Sequence, residues 1–136
     1  MLDCYGCHEN KLKDLDFVLK FLDELPAMIS MHKIADPYAV YYPGKSDSFD
    51  KGGISAIVII AESHISIHTF PANNYMSVDI FSCKIFDIEK AIKYITKAFG
   101  VKKFEKKILN RGLEFPKDVP KAMKIVNRQR EKISLE

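Results

Sequence analysis

Between Ala61 and Pro71 the chain reads Ala-Glu-Ser-His-Ile-Ser-Ile-His-Thr-Phe-Pro, so Glu62, Ser63, His64, Ser66 and His68 punctuate what would otherwise be an apolar β segment. Local folding rules yield in this way where function requires it. One chemistry open to these residues is metal binding by His64 and His68. On a helix that spacing would bring both rings together, but on a strand it separates them by roughly 13 Å, and no acidic third ligand stands at a supporting interval. A second is hydrolysis, with Ser63 as nucleophile and a histidine as base; the flanking glycines of a nucleophile elbow are absent, and no helical pattern follows. The plainest reading makes all of them hydrogen-bonded core residues, and two histidines and two serines in six positions argue against it.

Cys4-Tyr5-Gly6-Cys7-His8 also places ligand types together, but no second Cys or His pair follows downstream. Small buried thiols at a strand end are the expectation there. Three cysteines, Cys4, Cys7 and Cys83, are an odd number. They point to free thiols in a reducing compartment.

The elements that must carry these residues follow from periodicity. Leu12, Leu15, Val18, Leu19, Leu22 and Leu25 predict an amphipathic helix limited by Pro26. Ile34 to Tyr42 predicts a strand, starting late or lying at an edge because of Pro37, and Pro43 to Ser48 a polar, mobile loop. The near-continuous apolar run Ile54 to Ala61 predicts a central strand covered on both faces. From His64 to Phe70 the chain alternates, His64, Ser66, His68 and Phe70 against Ile65, Ile67 and Thr69, and Tyr75 to Cys83 alternates again. A hairpin-type connection at Pro71 to Asn74 joins the two. Asp87 is placed to cap a helix with the stripe Ile88, Ile92, Ile95 and Phe99, stopped by Gly100, and Val101 to Leu109 predicts a polar outer strand. The fold class is α+β, a two-layer α/β sandwich with helices on one face of a mainly antiparallel sheet.

At 136 residues, 47% hydrophobic and 29% charged, the chain suits one domain. No apolar run approaches the roughly 20 residues that span a bilayer, and no basic-then-apolar leader opens it, so a cytoplasmic protein is expected. Residues 117–136 hold six of the 21 basic and three of the 18 acidic residues, hence the whole net charge of +3. No aromatics interleave these charges, so a solvated basic tail, with a short amphipathic helix through Val119, Met123 and Val126, is expected over a nucleic-acid contact.

The run from Ala61 to Pro71, the later Val78-Asp79-Ile80-Phe81-Ser82-Cys83 and the upstream Gly53-Ile54-Ser55 closely resemble the signature of the small prokaryotic, pyruvoyl-dependent S-adenosylmethionine decarboxylases, with similarity from about Leu2 to Pro116. The resemblance implies a precursor, residues 1–116 forming the decarboxylase domain, that cleaves itself at Glu62-Ser63 into chains 1–62 and 63–136. Ser63 Oγ attacks the Glu62 carbonyl, the amide becomes an ester, and β-elimination leaves a residue that becomes a pyruvoyl group. That self-made cofactor forms a Schiff base with the substrate amine and accepts the electron pair released with carbon dioxide. By the same resemblance His68 removes the α-proton during elimination, Ser55 assists processing, and Cys83 reprotonates the product. The implied assembly is a homodimer with sites shared across its interface, and the implied product is the aminopropyl donor for spermidine synthesis. No metal, nucleic acid or membrane enters this scheme.

The family commonly has Glu after its His-Thr-Trp/Phe-Pro motif, where the carboxylate holds the ribose; here Ala72 stands, followed by Asn73 and Asn74. Candidate substrate contacts are therefore Tyr41 or Phe49 for the adenine, with Phe70 and Asn73. Arginine or ornithine decarboxylation is the alternative within this lineage. An inactive homologue serving as a partner subunit is the other, disfavoured because Ser55, Glu62, Ser63, His68 and Cys83 are all present.

Overall fold

The structure, a computed structural model, describes residues 1–111. The basic tail expected at 117–136, and its helix, lie outside the described residues. In chain order the elements are β1 (Leu2–Tyr5), α1 (Glu9–Leu12), α2 (Leu15–Met28), β2 (Tyr38–Tyr42), β3 (Gly53–Ile60), β4 (Ser63–Phe70), a 3-10 turn (Pro71–Asn73), β5 (Tyr75–Ser82), α3 (Ile88–Phe99) and β6 (Lys103–Lys106). All six strands form one sheet in the order β2-β3-β4-β5-β1-β6. Every pairing is antiparallel. The α+β sandwich expected from the sequence is the fold observed.

The first helical pattern is split. Asp14 accepts a hydrogen bond from Phe17 N and caps a new helix, leaving Leu12 in a short turn of its own. Pro26 does not end α2, which continues to Met28; the helix carries on past it although proline lacks the N–H that would bond four residues back. Asp87 caps α3 through Lys90 N, and Gly100, at φ +64°, closes it in the left-handed conformation, both as the pattern predicts. The strand begun at Ile34 starts instead at Tyr38, past Pro37, and lies at the sheet edge.

The core lies between α2, α3 and one face of the sheet, with Val18, Leu22, Leu25, Ile92, Ile95 and Phe99 against Ile54, Val58, Ile60, Ile65, Ile67 and Met76. Phe99 takes the edges of Phe17 and Phe21, at centroid distances of 5.2 and 4.9 Å. The expectation that β3 is covered on both faces is corrected. Its side chains alternate, Ile54, Ala56, Val58 and Ile60 inside and Ser55, Ile57 and Ile59 outside, and β3 is second from an edge. One helix layer can bury one face of a sheet, and within a single chain the other face stays bare.

Thr69, 3% exposed, fastens the site-bearing strands to the helix layer. Its Oγ1 donates to Leu12 O at 2.7 Å and accepts from Ile54 N at 2.8 Å. Gly53 is required beside it, because a Cβ at Gly53 would fall 1.8 Å from Thr69 O. Among the described residues no helix is long and apolar enough to cross a membrane.

Candidate active site

The β3–β4 hairpin turns at Ala61 and Glu62, and Ser63 opens β4 at φ +143°. For a side chain other than glycine that region is sparsely populated and costs about 1–3 kcal/mol, which the surroundings must hold in place. The Glu62 carbonyl, the acyl half of the Glu62-Ser63 peptide bond, accepts a hydrogen bond from Cys83 N at 2.9 Å. That N–H stands where negative charge would develop if Ser63 Oγ attacked the carbonyl carbon. Ser63 itself lies opposite Ile60 on one side and Ser82 on the other. Glu62, Ser63 and Cys83 thus lie together at one end of the sheet.

The Glu62 side chain is 8% exposed and turns to His32, whose Nδ1 lies 2.8 Å from Oε1 and whose backbone N donates to Oε2 at 3.1 Å. Those hydrogen bonds from His32, ring first and backbone second, hold the Glu62 carboxyl below the usual carboxylate range despite its burial. Nothing in the sequence marks His32, which stands 30 positions upstream at no interpretable spacing.

His68 and Ser55 face each other in register on β4 and β3, Nδ1 and Oγ 2.9 Å apart, on the bare outer face. The row continues through Ser77 on β5 to Asp3 on β1. His68 lies five residues beyond Ser63 on the same strand, which at about 3.3 Å per residue is roughly 16 Å. The structure therefore brings the expected residues together as two groups, Glu62-Ser63-Cys83 and Ser55-His68, at separate places on one chain. His64 packs beside Phe81, centroids 5.5 Å apart, away from His68.

Of the candidate substrate contacts, Phe70 ends β4 on the His68 face and packs 5.4 Å from Tyr75. Asn73 belongs to the exposed turn that follows, and Phe49 is almost wholly exposed in the β2–β3 loop. Tyr41 pairs with buried Ile54 and so lies on the helix-side face of β2. Tyr38 and Tyr42, its neighbours on the opposite face, share the surface with Ser55. Among the described residues, a cavity of ≈ 50 Å³ lies between α3 and strands β1 and β5, and one of ≈ 500 Å³ beside the connections after α2 and before α3; neither is lined by Ser55, Ser63, His68 or Cys83.

The cysteines divide by environment. Burial pushes the Cys4 thiol up to about 12 and the Cys7 thiol up to about 11, whereas Cys83 is exposed. Acids with raised values stay neutral in the folded state, so their burial is undisturbed below the ordinary thiol range and weakens as pH rises from there through about 11 and 12. At pH 8 iodoacetamide should label Cys83 alone in the native protein, and all three thiols after denaturation, by mass. Native labelling of Cys4 or Cys7 would contradict this assignment.

The strained Glu62-Ser63 turn thus joins β3 to β4 in an all-antiparallel sheet with one helix layer, and comparison with known proteins bears on this arrangement directly. The sequence profile described as S-adenosylmethionine decarboxylase matches residues 1–112. The S-adenosylmethionine decarboxylase proenzyme of Geobacillus kaustophilus (strain HTA426) is 35% identical over 122 residues, 88% of this chain and 90% of that one. The proenzyme of the same name from Clostridium botulinum (strain Langeland) is 32% identical over 113 residues, 82% of this chain and 90% of its own length. The crystal structure of the adenosylmethionine decarboxylase from Aquifex aeolicus VF5 superimposes with a TM-score of 0.64 at 28% identity, covering 82% of this chain and 87% of that one. The chain belongs to the S-adenosylmethionine decarboxylase family. It is an enzyme, a decarboxylase of the carboxy-lyase class.

Proposed function

We propose that this chain is a self-cleaving precursor, cut between Glu62 and Ser63, whose product decarboxylates S-adenosylmethionine. The observation that carries the reading is the joint geometry of that bond: Ser63 at φ +143° and the Glu62 carbonyl oxygen on Cys83 N. Ser63 Oγ adds to the Glu62 carbonyl carbon, the C–N bond breaks, and the nitrogen takes the hydroxyl proton, giving an ester. Removal of the Ser63 α-proton then expels Glu62 as a free carboxylate and leaves a dehydroalanine. Its enamine tautomerises to an imine, which one water converts to a ketone with loss of ammonia.

A pyruvoyl ketone at position 63 supplies an electrophile for the substrate amine and a sink for the electrons left by the carboxylate. Cys83, whose backbone bonds the same carbonyl and whose thiol is exposed, is suited to hold the proton that the product carbon needs. His68, paired with Ser55, is suited to take the α-proton, but not within its own chain. The distance of roughly 16 Å is met by a homodimer in which the bare sheet faces oppose each other, so that Ser55 and His68 of one copy complete the Ser63 end of the other. The outer surface of β2 and β3 supports that assembly. Tyr38, Val40, Ile57 and Ile59 expose a contiguous apolar patch there, of the kind an interface covers.

S-adenosylmethionine is favoured over arginine or ornithine by the family itself, while Ala72 withholds the carboxylate that would hold the ribose; the loss of such a contact weakens binding by about one to two powers of ten. The test combines intact mass with assay. Purified protein should contain residues 1–62 and a second chain from residue 63 with a blocked N-terminus, Ser63→Ala should remain whole, and labelled carbon dioxide should be released from S-adenosylmethionine. Decarboxylation of arginine or ornithine in its place would move the substrate and leave the cleavage reading standing.

A further inference from the structure

The acyl side of the Glu62-Ser63 bond is gripped by a segment outside the motif. His32 reaches Glu62 twice, through Nδ1 to Oε1 at 2.8 Å and through its backbone N to Oε2 at 3.1 Å. Its own carbonyl accepts from Ala61 N at 2.8 Å. The grip is prolonged backwards along β3 by Ile34 N donating to Ile59 O at 3.1 Å and by the bridge between Lys33 and Ile60. From the opposite side Cys83 N holds the Glu62 carbonyl. Glu62 is therefore fixed at its side chain, at the preceding amide and at its carbonyl by two segments that are far apart in sequence.

This arrangement answers a mechanical question. A serine held at φ +143° relaxes if the residue before it is free to swing, because rotation about the Glu62 backbone can return Ser63 to an ordinary conformation. A buried carboxylate bonded on both oxygens removes that freedom. Other cations nearby are engaged elsewhere: Lys33 pairs with Asp23 and Asp36, and Lys84 donates to Ser30 O at 2.9 Å. Among the described residues His32 is the one basic side chain paired with Glu62.

We infer that His32 is a positioning residue for self-cleavage, holding Glu62 so that its carbonyl carbon stays presented to Ser63 Oγ and its carbonyl oxygen to Cys83 N. The inference rests on the cleavage reading above and adds to it a residue outside the motif. His32 acts through Glu62; no bond to the reacting atoms is assigned to it.

The test follows the loss of full-length chain to fragments 1–62 and 63–136 with time, by intact mass, in freshly refolded wild type, His32→Ala and His32→Asn. Asparagine places an N–H donor near the position of Nδ1. Thermal melting of His32→Ala in the uncleavable Ser63→Ala background reports stability separately. The expected result is cleavage slowed at least about tenfold in His32→Ala, with largely restored cleavage in His32→Asn and a melting temperature close to that of Ser63→Ala alone. Wild-type cleavage rates in His32→Ala overturn the role of His32 while the cleavage reading stands. A slow His32→Ala that melts well below its parent and is not rescued by asparagine makes His32 structural and overturns it equally. If wild type itself stays whole, the cleavage reading fails first, and the inference with it.

Discussion

A chain carrying His68→Ala should stall before the cut when it assembles with itself, and should be cut when it assembles with a Ser63→Ala chain. The first half expresses the loss of a general base, about 10²- to 10⁴-fold in rate. The second follows from geometry. His68 lies five residues along β4 from Ser63, roughly 16 Å away, and is paired with Ser55 on β3. In a mixed dimer the Ser63→Ala chain supplies an intact Ser55-His68 pair to the His68→Ala chain, which supplies Ser63. With chains of different tagged mass, fragments should arise from the His68→Ala chain alone. A mixed dimer that stays whole, beside a wild type that cleaves as a monomer, would place the base in cis and sink the shared site.

Replacing Thr69 by Val should produce the largest loss of stability among single conservative changes near the site. The hydroxyl is buried and serves two backbone groups, Leu12 O and Ile54 N, which the isosteric valine leaves without partners. Each buried unsatisfied group costs about 1–3 kcal/mol, so the pair costs about 2–6 kcal/mol. For a domain of this size the melting temperature should fall by at least about 8 °C, whereas Thr69→Ser should keep most of it. Measurement in the uncleavable Ser63→Ala background separates the fold from the cut. A melt of Thr69→Val within 2–3 °C of its parent, roughly half a kcal/mol, would show that water or relaxation satisfies those groups.

Much of this was readable along the chain. Alternation located β4 and β5, because a sheet with one buried face forces period two on its sequence, and Asp87 and Gly100 bounded α3 because caps are local. The run Ile54 to Ala61 misled. Continuous apolar character suggests a strand covered on both faces, but it cannot distinguish a face buried by the chain's own helices from one left exposed, and Ile57 and Ile59 belong to the latter kind. Asp14, embedded in the leucine periodicity, was invisible as a cap until the chain was seen to turn there. At the site the motif supplied identities without distances. That Ser63 and His68 stand far apart follows from both lying on one straight strand, and His32 reaches Glu62 only because residues 32–34 run beside the end of β3, a tertiary contact with no local trace.

The strand order has a consequence for what a cut at residue 62 does to the molecule. Residues 1–62 contribute β1, β2 and β3, and residues 63–111 contribute β4, β5 and β6. In the sheet these interleave, since β1 is clasped between β5 and β6 while β3 zips along β4. Two polypeptides laced in this way cannot drift apart without tearing three ladders, so the severed bond is dispensable as soon as the weave exists. It is needed before then. A covalent tether keeps the two halves at high effective concentration while β1 finds its slot, and the proposed cleavage, which needs the strained hairpin of the finished sheet, would release the chain from that tether only afterwards.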